Sequence, residues 1–144
     1  MQPLIIEQTE DSPKVILDAE QQIFLFEGQS RPENTAKFYI PILKWLEEYE
    51  KVLYWQREHY EKNQRMTMQF KLSYFHSTSA KFIGDILLML DNLCREGYEV
   101  HVKWFYQKED ADMKESAEEY MKMFKHLSFK LVLYDVKTGQ QSEE

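Results

Sequence analysis

Cysteine, glycine, proline and blocks of positive charge are what this chain has least of. Cys94 is the single cysteine among 144 residues, so an intrachain disulfide framework is impossible and a reducing, cytoplasmic setting is expected. Four glycines and four prolines leave little composition for a long disordered stretch away from the ends. No apolar run approaches the ~20 residues that a membrane span requires. The opening residues M-Q-P-L-I-I-E lack the basic-then-apolar order of a signal peptide. The 18 lysines and arginines are outnumbered by 25 aspartates and glutamates, for a net charge of −7. No Lys/Arg block marks a nucleic-acid face, and that class of partner is set aside.

Catalytic patterns are missing as well. There is no glycine-rich phosphate loop, no G-x-S-x-G elbow and no paired-cysteine motif. His59, His76, His101 and His126 show no metal-ligand spacing. Asp110, Asp112 and Glu115 read as the acidic start of a helix rather than a cation cluster. Cys94 falls on an apolar helical stripe and reads as core. The expectation is a protein that is not an enzyme and holds no cofactor or metal.

Hydrophobic residues make up 43% of the chain and aromatic residues 15%, enough for one well-anchored core, with a single domain over residues 1–136 and a frayed tail over 137–144. The chain is organised around Tyr74–Leu90, Y-F-H-S-T-S-A-K-F-I-G-D-I-L-L-M-L. A strand, Met66–Tyr74, alternates Met66, Met68, Phe70 and Leu72 with Thr67, Gln69, Lys71 and Ser73, the pattern of one buried and one wet face. It enters a hydroxyl-rich turn, Ser77, Thr78 and Ser79, which is the strongest helix-start signal in the sequence. Ile83, Ile86, Leu87, Leu90, Leu93 and Cys94 then recur at helical spacing up to a natural stop at Gly97. Hydroxyls at a helix N-terminus occupy a place that favours a phosphate.

The other elements follow by the same reasoning. Leu4–Thr9, Val15–Leu17 and Ile23–Phe26 read as strands, the last ended by Gly28. Ser30 or Asn34 caps a first helix whose stripe is Phe38, Ile42, Trp45, Leu46, Tyr49, Val52 and Leu53, with a kink expected at Pro41. Residues 56–65 read as a solvated helix end and loop. Val100, Val102 and Trp104 alternate with His101, Lys103 and Phe105, a third helix carries Met113, Ala117, Tyr120, Met121 and Phe124, and Phe129, Leu131 and Leu133 mark a last strand. Phe75 and Phe105 fall on the sheet phase opposite to the core residues, which marks them as an exposed docking surface. The order is β-β-β-α-β-α-β-α-β, an α/β mixed sheet with helices mainly on one face.

Four segments, in this order and spacing, resemble the SiaC family of bacterial signalling proteins. They are Gly28, Ser30, Pro32, Glu33 and Asn34; the aromatic helix Phe38–Tyr49; the turn Tyr74–Lys81 followed by Asp85; and Trp104–Met113. The resemblance implies a STAS-like fold (sulfate transporter and anti-sigma-factor antagonist) and a switch. In that family a serine/threonine kinase phosphorylates a hydroxyl before the second helix, a PP2C-type phosphatase removes the phosphate, and the unmodified form binds and activates a partner such as a diguanylate cyclase. The family turn reads Y-F-N-T-S-S-S-K. Here His76 replaces the asparagine, Ser77 the acceptor threonine, and Thr78 follows, so Ser77 and Thr78 are both candidate acceptors. The implied partner surface is Tyr74, Phe75, His76, Ser79, Lys81 and Asp85. The segment Tyr54–Gln64 is longer than is usual for the family. The other function carried forward is a small-molecule-sensing STAS-like module.

Overall fold

Met66, Met68, Phe70 and Leu72 are all buried, while Thr67, Gln69 and Lys71 between them are only half-covered. That alternation belongs to the strand at the centre of a seven-stranded sheet. The computed structural model describes residues 1–60 and 65–144. Its strands are β1 (Leu4–Ile6), β2 (Lys14–Asp18), β3 (Ile23–Ser30), β4 (Arg65–Phe75), β5 (Glu99–Gln107), β6 (Ser128–Tyr134) and β7 (Gln141–Glu143). They lie side by side in sequence order. β3, β4, β5 and β6 run parallel, and β1, β2 and β7 are added antiparallel at the two ends.

The helices are α1 (Thr35–Tyr60), α2 (Ser77–Arg95) and α3 (Ala111–Met123). Each joins consecutive parallel strands, and every crossover steps in the same direction across the sheet. Right-handed crossovers that all step one way place their helices on one face. Accordingly one core unites Phe24 and Phe26 of β3, the inward side chains of β4, Val100, Val102 and Trp104 of β5, and the apolar stripes of the helices. Trp104 is fully buried. It stacks on Phe70 at 5.0 Å and meets the edges or tilted faces of Phe75 and Tyr120.

Several expectations change on the structure. Gly28 does not end its strand, which runs on to Ser30. Gly28 opposes Leu72 and Gln29 opposes Tyr74, so Ser73 is an extra residue in β4, a bulge. Gly28 has φ +118°, and a Cβ there would lie 2.8 Å from the Gln8 side-chain nitrogen. The Gln8 side chain can swing aside, but the backbone strain stays. Gly28→Ala is expected to cost about 1–3 kcal/mol, read as a lower urea midpoint with an unchanged slope.

α1 continues through Pro41 without a break. Its last two turns, up to Tyr60, take up most of the segment read as solvated; residues 61–64, the rest of that segment, lie outside the described residues. The end of the chain, expected to fray, instead forms β7 on the β6 edge. Phe105 is buried rather than exposed. It lies on the open face of the sheet, where the Tyr134 ring and the Lys71 ammonium cover it. No described helix is long and apolar enough to cross a membrane.

α2 ends as its sequence requires. Gly97, at φ +93°, donates to the Cys94 carbonyl and Tyr98 to that of Leu93, the paired bonds of a Schellman motif.

Candidate functional site

The bulge at Ser73 decides which aromatic residue faces outward at the end of β4. Without it Tyr74 would continue the inward series of Met66 to Leu72. With it the pleat is shifted by one residue: Tyr74 is 46% exposed, and Phe75 turns inward to meet Trp104 edge-on at 6.0 Å. Phe75 is thus half-buried support and not the exposed docking residue expected, while Tyr74 keeps its outward place.

Three hydroxyls follow, and they separate into two kinds. α2 begins at Ser77, with His76 as its N-cap, and no side chain caps its first turn. The capping role expected of Ser77, Thr78 and Ser79 is therefore not filled; these residues sit within the first turn. Ser77 and Thr78 are exposed. The Ser77 hydroxyl has only a long 3.5 Å approach to the His76 ring nitrogen Nδ1. The Thr78 hydroxyl accepts from Thr35 of α1 at 3.0 Å, so the N-termini of α1 and α2 touch here. Two positive helix ends converge on the same patch.

Ser79 is different. It is fully buried, which corrects its assignment to a partner surface. Ser30 Oγ donates to Ser79 Oγ at 2.9 Å, and Ser79 Oγ donates to the Ser30 carbonyl at 3.1 Å. Because the one Ser30 proton is thus committed, the Tyr39 hydroxyl is the donor in its 2.5 Å contact with Ser30 Oγ. Burial pushes the Tyr39 hydroxyl above its ordinary pKa, against the opposing effect of these bonds. All three hydroxyls are satisfied internally, and together they tie β3, α1 and α2 into one joint. The His76 N–H adds a bond to the Ser30 carbonyl at 2.8 Å.

From the other side, Tyr120 of α3 donates to the Ala80 carbonyl at 2.7 Å, its hydroxyl raised to about 12 chiefly by burial. The turn that carries Ser77 and Thr78 is therefore held from β3, α1 and α3 at once. Asn34, and not Ser30, caps α1, accepting from the Lys37 N–H at 3.1 Å.

Outward from the hydroxyls, Lys81 and Asp85 pair at 3.6 Å with both side chains well exposed, and Lys81 also lies 4.8 Å over the Phe82 ring. Such a pair adds little stability. His76, Ser77, Thr78, Lys81 and Tyr74 thus form one exposed surface, with Asp85 beside it. Leu88, 48% exposed on the next turn of α2, extends it with an apolar side chain.

Sequence reasoning missed Tyr39, Thr35 and the buried role of Ser79. A signal for two of them was present. Ser79 precedes Ile83, Ile86, Leu87 and Leu90 on the same helical stripe, and Tyr39 precedes Ile42, Leu46, Tyr49 and Leu53 in the same way.

Elsewhere, Asp110 caps α3 through the Met113 N–H at 3.0 Å, as a helix start requires. Burial raises the pKa of the Cys94 thiol, away from nucleophilic character. Among the described residues no group of three or more His, Cys, Asp or Glu side chains is arranged to hold a metal.

Comparison with known proteins falls on the same residues. The profile of the SiaC family regulatory phosphoproteins matches residues 6–134. An uncharacterized protein of Pseudomonas aeruginosa (strain UCBPP-PA14) is 26% identical over 120 residues, covering 83% of this chain and 88% of its own length. Among solved structures, apo-SiaC of Pseudomonas aeruginosa superposes with a TM-score of 0.78 at 23% identity, over 91% of this chain and 98% of that one. SiaC captured with the diguanylate cyclase SiaD, which it activates, gives 0.79 at 22% identity over 91% and 99%. These structures share the fold described above.

Proposed function

The chain belongs to the SiaC family of regulatory phosphoproteins, and from that premise we propose that it is a phosphorylation-controlled adaptor without catalytic activity of its own. With Ser77 and Thr78 unmodified, the outer surface of α2 and the exposed Tyr74 bind and regulate a partner protein, a diguanylate cyclase or a target of that kind. A phosphate at the turn ends or redirects the contact. A serine/threonine kinase and a PP2C-type phosphatase set the balance between the two forms.

One observation carries this reading: two exposed hydroxyls stand in an uncapped first helical turn whose backbone is fixed from three sides. Free N–H groups and the helix dipole stabilise negative charge there. A phosphate of roughly −1.5 to −2 charges therefore leaves the fold intact and changes what the surface attracts. The effect falls on recognition and not on stability. Ser77 matches the family's acceptor position and is the less engaged of the two hydroxyls; Thr78 already accepts a bond from Thr35.

The test is mass spectrometry of peptides covering residues 72–95 after exposure of the folded chain to its kinase. Phosphate is expected on Ser77 or Thr78 and never on Ser79, whose side chain is sealed in the joint. A phosphate on Ser79, or on neither of the two exposed hydroxyls, contradicts the assignment.

A further inference from the structure

β7 is the least embedded element of the fold, and the way it is held identifies a second surface. All three of its residues are exposed, as is the whole loop of residues 135–140 before it. It opposes only Val132, Leu133 and Tyr134 of the seven-residue β6, with one further bond from the Glu144 N–H to the Leu131 carbonyl. The N-terminal part of that β6 edge has no pairing from β7.

The side chains of the segment clasp the sheet from both faces. Adjacent residues of an extended strand point to opposite sides. Glu143 lies on the open face, 3.1 Å from Lys103 and 3.8 Å from Lys130. Glu144 lies on the helix face, where it accepts from the Tyr106 hydroxyl at 2.7 Å and meets Lys114 at 3.4 Å. The Lys103 hydrogen bond, above all, holds the Glu143 carboxyl below its ordinary pKa, and the Tyr106 bond does the same for Glu144.

We infer that the β6 edge is a strand-addition site for an extended partner segment carrying two adjacent acidic residues, and that Gln141–Glu144 is its internal occupant. Charge complementarity commits the site to that chemistry, because lysines wait on both faces of one edge at the spacing of consecutive carboxylates. Surface ion pairs hold a strand weakly. A longer acidic strand gains pairing along Ser128–Lys130 that the internal one does not make, which favours exchange. This surface is separate from the α2 turn, so its test does not depend on phosphorylation.

The test uses the full chain carrying Glu143→Lys and Glu144→Lys, probed by fluorescence anisotropy with a labelled peptide repeating residues 137–144. A second peptide has both glutamates replaced by glutamine. The acidic peptide is expected to bind the double variant about tenfold or more tightly than it binds the wild type, and about tenfold more tightly than the glutamine peptide does. Equal binding of the two peptides, no gain over wild type, or conversion of the variant to a dimer through the bared edge would overturn the inference. Should the variant misfold, hydrogen exchange on the wild-type chain decides. Raising salt from about 50 to about 500 mM is expected to speed exchange in residues 131–134 and 141–144 and leave α2 unchanged; no acceleration counts against the clasp.

Discussion

Replacing Ser77 and Thr78 together by aspartate is expected to weaken binding of the cyclase-type target by about tenfold or more, a change of ~1.4 kcal/mol or above. The matching alanine pair is expected to stay close to wild type. Both side chains are exposed, so neither pair opens a cavity. A negative charge in the first turn of a helix is favourable to the helix itself, by about 0.3–1 kcal/mol. The aspartate variant should therefore melt at or slightly above the wild-type temperature while losing its partner. That combination separates a recognition switch from simple unfolding. Like-charge repulsion and the desolvation of a carboxylate against a formed interface supply the loss. Single variants apportion it: Thr78→Asp also breaks the bond from Thr35, whereas Ser77→Asp alters charge alone. Binding curves that superimpose for the alanine and aspartate pairs would remove the switch from consideration.

The largest loss of stability is expected at Trp104. Trp104→Ala deletes a fully buried indole wedged among Phe70, Phe75 and Tyr120. Such truncations cost about 3–5 kcal/mol, which for a chain of this size lowers the melting temperature on the order of ten degrees. Trp104→Phe should cost much less. It retains most of the ring stacking, and the indole N–H it removes has no hydrogen-bond partner among the described residues. Denaturant titrations of the two variants check both magnitudes. Because Phe75 leans on Trp104, the alanine variant should also loosen the end of β4, seen as faster hydrogen exchange at residues 74–78.

The regular parts of the fold were legible from residue spacing. Period-two patterns located β4 and β5, and Gly97 located the end of α2, because in each case a single local rule dominates. The departures arise where two local rules compete, or where the deciding contact is distant in sequence. Ser79 carries both a capping residue's chemistry and a core residue's spacing. The spacing prevails because Ser30, 49 positions away, offers it a buried partner. Tyr74 and Phe75 exchanged roles because a bulge is defined across two strands and leaves no mark in one. Phe105 is covered from Tyr134 and Lys71, neither of which is near in sequence. The final strand has no apolar residue to announce it; lysines on β5, β6 and α3 recruit its glutamates. At the candidate turn, the exposed hydroxyls could be proposed from sequence, but their division into two accessible groups and one structural group could not.

The strand order has a consequence for the kind of signal this protein can receive. In open α/β sheets small ligands settle in the cleft that forms where neighbouring connections diverge toward opposite sides. β3 to β6 follow one another without reversal, so their connections stay together and form a terrace at the carboxyl ends of the strands. A metabolite finds no customary lodging on a terrace, whereas another macromolecule can rest against its whole breadth. The geometry suits a component that is addressed by covalent marking and answers by touch.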